Sequence, residues 1–444
     1  MVAHWWPGGV LCGHSARTGG LPDDVGQLFI AHPDPARLAP LSLPGITATV
    51  HVGPGALPGD IALPSVPLFL AGPARTLVEN FDLRGKRPTW RLGTVAVEDR
   101  IDHEARYGGA GRVHSLLHQL DVIAVSFDLD AVEGVRRRLA AVLGSFTGDS
   151  KPRSERLRAR LAGTPFDQGR VEMFAELASA LRSRAPTPVL VGTDPNRFDW
   201  LPFFEAYFSN YIEGTEFGVE EARRIVVDGE VPPDRPADAH DIAATHRLVA
   251  DVDESRRVPD SSAEFVEMLR YRHQVLMAVR PDKQPGMFKD RPNFAGGYRF
   301  VDPELVEETL VRGFGLLQEV LDPFARSVLM MAVITECHPF DDGNGRIARI
   351  FANAELSAAG MVRQVIPTIQ RPHYLAGLTA VSTRNGNGQA LAAVLEHAQR
   401  WTAAVDWSTF DAAHETMDRT NAYADPATAD ALGRRLGWPD APDS

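Results

Sequence analysis

The chain has 444 residues, 44% of them hydrophobic, and its formal net charge is −12 at pH 7. This length and composition allow a large buried core divided between two or three domains. The acidic balance argues against a protein that coats nucleic acid, and no run approaches the ~20 apolar residues that a membrane span needs. The first residues lack a charged segment followed by an apolar one, so we expect a bacterial protein of the cytoplasm without an export signal.

The first 130 residues are predicted to form a smaller α/β or α+β domain. Glycine and proline are frequent up to about residue 80, between short apolar runs such as 28–30 and 46–52. This pattern is typical of short strands joined by turns. Residues 131–200 are predicted to be a helical linker region, because Val132, Val135 and Leu139 recur at helical spacing.

Residues 201–402 have a nearly continuous helical pattern, which makes the chain mainly α in fold class. The run from Phe324 to Cys337 is almost wholly apolar and predicts a central buried helix. A second amphipathic helix is predicted over 346–359, and Gly360 is its expected stop. Residues 403–444 are predicted to be a helical tail.

The junction between these two helices carries the sequence His-Pro-Phe-Asp-Asp-Gly-Asn-Gly-Arg-Ile-Ala-Arg, residues 338–349. The turn Gly343, Asn344 and Gly345 consists of residues that tolerate positive φ, so its successive amides can form an anion nest. A helix that starts here adds free N–H groups and the positive end of its dipole. The combination of a base, a carboxylate, this nest and two arginines suits a reaction on a nucleotide polyphosphate.

The stretch resembles the signature of the Fic proteins, H-x-F-x-[D/E]-G-N-G-R-x-x-R, at every fixed position. The resemblance implies an all-helical Fic core with a β-hairpin flap. It also implies a protein adenylyltransferase that moves AMP from ATP to a Tyr, Thr or Ser hydroxyl of a target protein. Relatives with Lys at the second Gly resemble the Doc toxins, which transfer the γ-phosphate, so Gly345 favours nucleotidyl transfer. Self-modification and homodimerisation stay open, and nucleic acid is not an expected partner.

Each polar residue of the motif has an expected role. His338 is the residue whose usual pKa allows it to accept a proton near neutrality, so we interpret it as the general base. Asp342 offers a hard oxygen ligand for Mg²⁺. Arg346 and Arg349 lie one helical turn apart, and their guanidinium groups suit the β- and γ-phosphates.

Two further segments fit the resemblance. Residues 286–301 resemble the Fic flap, with the pair Gly296-Gly297 as its turn, and an exposed hairpin edge can bind an extended target segment. Tyr374 matches the aromatic residue found near the adenine in Fic enzymes, although a tyrosine of the core is an alternative interpretation.

Residues 209–214, Ser-Asn-Tyr-Ile-Glu-Gly, resemble the Fic inhibitory motif [S/T]-x-x-x-E-[G/N]. The motif includes Ser209 and Glu213 and lies before the core, as in class II members of the family. A carboxylate from a neighbouring helix can pair with Arg349 and occupy the place of the γ-phosphate. We therefore expect the resting enzyme to be autoinhibited by Glu213.

Two alternatives to transfer stay open. Some Fic proteins use the inhibitory glutamate to position a water that removes AMP, so Glu213 is also compatible with a deAMPylase. The N-terminal region, through residues 6–11 and 70–75, resembles the part of AbiEi-like antitoxins that follows their DNA-binding segment. A non-catalytic toxin–antitoxin or regulatory binding module is therefore the other alternative, and for this region we favour protein interaction over DNA regulation.

Overall fold

The computed structural model describes residues 1–82, 90–145, 151–185, 187–194, 196–383 and 387–439. The chain forms two compact units, Met1–Pro165 and Phe166–Ser444. The boundary between the two units falls inside residues 131–200, which we predicted to be a helical linker region. The predicted division of the chain into four parts stays a prediction. Residues 440–444 of the expected tail, and residues 146–150, 186 and 195 of the expected linker region, lie outside the described residues.

The first unit combines a small mixed sheet with helices. Its strands are β1 (Val10–Leu11), β2 (Gln27–His32), β3 (Leu41–Leu43), β4 (Ile46–Val52), β5 (Ile61–Ala62) and β6 (Phe69–Leu70). Their order in the sheet is β3-β4-β2-β1-β6-β5; β2 pairs with β4 and β1 with β6 in parallel, and the other neighbours are antiparallel. The apolar runs 28–30 and 46–52 lie in β2 and β4. The prediction of a small α/β or α+β N-terminal domain is confirmed.

The helices of this unit precede β1, separate β1 from β2, or follow β6 along the chain. They are α1 (Val2–Trp5), α2 (His14–Arg17), α3 (Pro73–Asn80), α4 (Thr94–Ile123), α5 (Leu129–Val142) and α6 (Glu155–Leu161). Helices α3 to α6 share a separate apolar core, in which Ile101, Leu120 and Val135 are fully buried.

The second unit is almost entirely helical, as predicted. Its helices are α7 (Gln168–Arg182), α8 (Leu201–Ile212), α9 (Val219–Arg223), α10 (Pro236–Ala250), α11 (Ser262–Leu276), α12 (Val306–Leu317), α13 (Pro323–Cys337), α14 (Asn344–Ala358), α15 (Arg371–Thr383), α16 (Gln389–Ala404), α17 (Phe410–Arg419) and α18 (Pro426–Ala431). Between α11 and α12 a two-stranded antiparallel hairpin is formed by β7 (Phe294–Ala295) and β8 (Tyr298–Arg299). This hairpin is the predicted flap.

Helix α13 is the centre of the second unit. The Asp322 carboxylate caps it by accepting the Ala325 N–H at 2.8 Å, and Pro323 supplies a preset φ at the first helical position. Nearly every side chain from Phe324 to Cys337 is buried, so the apolar run packs on all sides, as predicted. No helix in the described part of the chain combines the length and the apolar character that a membrane crossing requires.

Candidate active site

His338 stands directly after α13 with a φ of +46°, a left-handed conformation that turns the chain away from the helix axis. Its Nδ1 lies 3.2 Å from the carbonyl oxygen of Thr335. Because a carbonyl can only accept, Nδ1 carries the ring proton and Nε2 keeps its lone pair. Burial lowers the pKa of His338 to about 4. The ring is therefore a neutral proton acceptor at pH 7.

The loop that follows His338 is held in shape by Asn344. The side-chain amide of Asn344 donates to the carbonyl oxygen of Phe340 at 2.8 Å, and its Oδ1 accepts the Phe340 N–H at 2.9 Å. The asparagine is 2% exposed. Gly343, with φ +76° in the left-handed region, then directs the chain into α14. Sequence reasoning placed Asn344 in the anion nest; its side chain also fixes the loop.

His273 of α11 supports the same loop and was not predicted. Its ring is fully buried and stacks on Phe340 with 3.7 Å between ring centroids. Nδ1 accepts the Gly286 N–H at 2.9 Å, so Nε2 carries the proton, and it lies 3.2 Å from the carbonyl oxygen of Asp342. Burial lowers the pKa of His273 to about 4. A histidine outside any motif gave no sequence signal for this contact.

Lys289 and Asn293 connect the start of the flap to the loop. The backbone N–H of Lys289 donates to the Pro339 carbonyl oxygen at 2.8 Å, and its ammonium donates to Asn293 Oδ1 at 2.6 Å and to the Cys337 carbonyl oxygen at 3.3 Å. The Asn293 amide donates to the carbonyl oxygen of Phe340 at 3.0 Å. Burial lowers the pKa of Lys289 to about 8. The flap and the loop around His338 are therefore tied together at this side.

Arg346 is buried, 2% exposed, on the first turn of α14. Its Nη1 lies 2.9 Å from Asp241 Oδ2 and 3.4 Å from Asn210 Oδ1. Asp241 is 1% exposed and also pairs with Arg280 at 3.0 Å. The contact with Asp241, 105 residues away in the chain, was not predicted, because sequence pattern carries no signal across that distance. The expected contact of this guanidinium with phosphate stays a prediction.

Arg349, one turn further along α14, faces the predicted inhibitory segment. Its Nη2 donates to Glu213 Oε1 at 2.7 Å and to the Ser209 carbonyl oxygen at 2.8 Å, and its Nε donates to Ser209 Oγ at 3.0 Å. Glu213 is the first residue after α8, and its side chain is 29% exposed. The structure thus brings Ser209, Glu213 and Arg349 into one cluster.

Gly345 is the residue that lets Glu213 approach the start of α14. A Cβ atom built on Gly345 would overlap Glu213 Oε1. The carboxylate therefore sits against the first turn of α14, where the backbone N–H groups have no helical partner and the dipole is positive. A negatively charged group is the ligand that such a position favours.

Asp342 has the partly exposed carboxylate that a metal ion could reach. Its side chain is 41% exposed; Oδ1 accepts the Gly343 N–H at 2.6 Å and lies 3.6 Å from Arg346 Nη2. The described residues contain no group of three or more His, Cys, Asp or Glu arranged to hold a metal. A single accessible carboxylate such as that of Asp342 is the kind of ligand with which Mg²⁺ commonly binds, since the ion completes its shell with phosphate and water.

The flap and Tyr374 complete the surroundings of the site. Phe300, directly after β8, stacks on the His338 ring with 3.9 Å between centroids and an angle of 11°. Tyr374, at the start of α15, is 1% exposed and lies in the core, where Arg349 Cζ is 5.8 Å from its ring centroid. Its expected place near an adenine stays a prediction.

Several known proteins are similar to this chain. Residues 265–356 match the Fic/DOC family. A Fido domain-containing protein of Dictyostelium discoideum is 32% identical over 101 residues, which are 21% of this chain and 68% of that protein. Protein adenylyltransferase fic-1 of Caenorhabditis elegans is 25% identical over 185 residues, 40% of this chain and only 36% of that relative. A Fic domain-containing signalling protein from Bacteroides thetaiotaomicron covers 55% of this chain and 97% of its own, at 18% identity and a TM-score of 0.42.

Proposed function

The chain belongs to the Fic/DOC family, and on that premise we propose that it is a protein adenylyltransferase kept inactive by Glu213. One observation supports this proposal above the others. The Glu213 carboxylate bonds Arg349 at 2.7 Å and lies against Gly345, at the helix start that would receive phosphate oxygens. An anion-binding position occupied by a carboxylate of the same chain is what autoinhibition requires. The similarity to fic-1, named a protein adenylyltransferase, points to the same reaction class.

The transferred group is AMP, and the acceptor is a hydroxyl of a Tyr, Thr or Ser side chain on a target protein. The hydroxyl oxygen forms a bond to the α-phosphorus of ATP while the bond to the β-phosphate oxygen breaks, which releases pyrophosphate. Nε2 of His338 takes the hydroxyl proton, because Nδ1 already donates to Thr335 and the ring is neutral. Preorganisation of this ring removes part of the cost of orienting the base during the reaction.

The triphosphate would lie over residues 343–345. Backbone N–H groups of the turn and of the first turn of α14 would contact its oxygens, and Gly345 leaves the space for close approach. Arg349 would bind the terminal phosphate in place of Glu213. Arg346, already paired with Asp241, contributes positive charge behind the nest and holds the first turn of α14 in place.

Asp342 would hold Mg²⁺ at the inner phosphates. Bound there, the ion would neutralise charge on the phosphate oxygens and orient the leaving pyrophosphate. Asp342 also accepts the Gly343 N–H, so its carboxylate is oriented by the loop before any metal arrives.

Labelled ATP tests both parts of the proposal. Purified wild-type protein, Glu213→Gly and Glu213→Gly/His338→Ala are incubated with α-labelled ATP and Mg²⁺, alone and with a cell lysate. We expect strong incorporation of AMP by Glu213→Gly, weak incorporation by wild type and none by the double variant. Equal incorporation by wild type and Glu213→Gly would remove the autoinhibition claim. No incorporation by any of the three would favour a non-catalytic binding module.

Removal of AMP is the second candidate function, because Glu213 beside the motif could also activate a water. The sign of the Glu213→Gly effect separates the two reactions. A protein already carrying AMP is the substrate, and released AMP is measured. Faster release by wild type than by Glu213→Gly, together with no gain in transfer, would favour a deAMPylase.

A further inference from the structure

A buried carboxylate lies two residues before His338 and takes no part in the proposed reaction. Glu336 of α13 is 3% exposed. Its Oε2 accepts the hydroxyl of Tyr298 at 2.6 Å and lies 3.2 Å from Arg170 Nε, and its Oε1 accepts the hydroxyl of Ser382. These four residues, which we call the flap anchor, come from α7, β8, α13 and α15. A buried carboxylate is destabilising unless hydrogen bonds or ion pairs compensate for its lost hydration. The partners of Glu336 come from three other elements, so its carboxylate holds four elements together at one point.

The flap anchor holds β8 by its side chain and by its backbone. Besides its ion pair with Glu336, Arg170 donates from Nη2 to the Arg299 carbonyl oxygen at 2.9 Å. Its guanidinium also lies 4.9 Å from the centre of the Tyr298 ring. Three contacts therefore fix two consecutive residues of the flap against α7 and α13.

The next residue of the flap is the one that touches the base. Phe300 stacks on the His338 ring with 3.9 Å between centroids and nearly parallel planes. The imidazole is otherwise oriented by one hydrogen bond, from Nδ1 to the Thr335 carbonyl oxygen. A single hydrogen bond leaves the ring free to swing about it, and a stacked ring on one face removes that freedom.

We infer that Glu336, through Tyr298 and Arg170, is a positioning residue that sets Phe300 and thereby the orientation of the His338 imidazole. Glu336 and His338 both lie at the carboxyl end of α13, so the anchor and the base share one helix end. The flap would then pack against the His338 ring as well as offer its strand edge to the target segment. The effect on turnover rests on the proposed function, whereas the effect on the ring orientation does not.

The direct readout is the His338 ring signal. In protein with ¹³C-labelled histidine, the Cε1–H resonance of His338 is assigned by its loss in His338→Ala and recorded at pH 7.5, where the ring is neutral. The aromatic current of Phe300 shifts this resonance while the rings are stacked. We expect Glu336→Gln to move the signal towards the position that Phe300→Leu gives. Glu319→Gln is the matched control, because it removes a carboxylate from a surface pair with Arg182 and should leave the signal in place.

Turnover is measured in the Glu213→Gly background. We expect Glu336→Gln to lower kcat about tenfold and to leave KM for ATP unchanged, since a mispositioned base affects a group that acts in the transition state. Tyr298→Phe removes one hydroxyl from the hairpin and should move both readouts in the same direction by less. This variant decides the question if Glu336→Gln fails to fold, as checked by circular dichroism.

The outcomes separate the two proposals. A His338 signal that is unchanged in folded Glu336→Gln and in Tyr298→Phe would overturn the inference, whatever the activity. A signal that moves, in a protein whose Glu213→Gly variant transfers no AMP, would leave the flap anchor standing and reject the adenylyltransferase. A moved signal with a reduced kcat would support both.

Discussion

The two arginines of α14 are one turn apart and are held in different ways. Arg346 pairs with Asp241, and the side chains are 3% and 2% exposed. Arg349 pairs with Glu213, whose side chain is 29% exposed and which follows the last turn of α8. The first pair is enclosed among other buried groups, whereas the second ends at the edge of the site. A ligand that enters the site could compete more easily for the second pair than for the first, because a partly exposed contact is the easier one to replace.

The same contrast extends to the backbone around each arginine. The loop before Arg346 is fixed by the two Asn344 bonds to Phe340 and by the His273 ring. Glu213 contacts the site through its one carboxylate, and Gly345 offers it no side chain to pack on. A site that is rigid on one side and loosely closed on the other is suited to regulation by displacement.

The largest expected effect concerns His338, on the side of the site that Asn344 and His273 hold in place. His338→Ala in the Glu213→Gly background should lower AMP transfer by about 10²–10⁴-fold, because the hydroxyl loses its proton acceptor. Nucleotide binding should be nearly unchanged, since the phosphate contacts come from the nest and Arg349. Transfer is followed with α-labelled ATP and binding by calorimetry. Transfer retained within a few-fold of the parent would assign the base to another residue.

Replacing the carboxylates of Asp241 and Glu213 in turn tests whether the two arginine pairs differ in their contribution to stability. Asp241→Asn leaves buried Arg346 without its charge partner and should lower the free energy of unfolding by about 3–5 kcal/mol. Glu213→Gln removes a partly exposed partner and should cost less than about 1 kcal/mol. Urea unfolding of the two variants and the wild type measures both. Equal losses would show that the Glu213 contact belongs to the scaffold.

Lowering the pH should destabilise the folded protein through the buried side chain of His273. The pKa of His273 is lowered to about 4 by burial, so between pH 6.5 and pH 5 the unfolded chain binds a proton that the folded chain does not. Stability therefore falls as the pH is lowered through this window, by up to about 2 kcal/mol for this residue. The urea midpoint of His273→Gln should depend less on pH than that of the wild type. Identical pH slopes would mean that His273 titrates normally in the folded protein.

The smallest expected effect concerns the Ser209 hydroxyl beside the Glu213–Arg349 pair. Ser209→Ala removes the acceptor that holds Arg349 Nε at 3.0 Å. One hydrogen bond is worth about 1 kcal/mol, so basal AMP transfer should rise by up to about fivefold, well below the effect of Glu213→Gly. Initial rates with labelled ATP measure it. A fall in basal transfer would instead show that Ser209 supports the nucleotide-binding form of Arg349.

Local sequence pattern was sufficient for part of this picture. The apolar run 324–337, the Gly-rich turn after it and the amphipathic pattern 346–359 predicted the helix–loop–helix that carries His338. The flap and the Glu213–Arg349 contact both followed from the family resemblance, and the Gly-Gly pair indicated the turn of the flap. In each case a short segment or a known motif contained the information.

The remaining features depend on tertiary packing. Asp241 and His273 reach the site from helices far away in the chain. Glu336 lies two residues before His338, but its partners come from α7, β8 and α15. Each of the three is an ordinary polar residue in its own segment. For Tyr374 the family resemblance left a place near adenine and a place in the core both open; the side chain is 1% exposed and its ring centroid lies 5.8 Å from Arg349 Cζ, and the adenine contact stays a prediction. Periodicity identifies which face of a helix is buried, but it does not identify which charged group will meet another inside the core.

Nucleotide binding shows whether Glu213 occupies the place of the terminal phosphate on Arg349. Wild type and Glu213→Gly are titrated with ATP and with AMP in a calorimeter, each in the presence of Mg²⁺. The comparison separates the contribution of the outer phosphates to binding from that of the rest of the nucleotide. Occupation of the phosphate position by Glu213 should give tighter ATP binding by Glu213→Gly and equal AMP binding by both proteins, because AMP has no phosphate that reaches Arg349. Equal ATP affinities for the two proteins would contradict it.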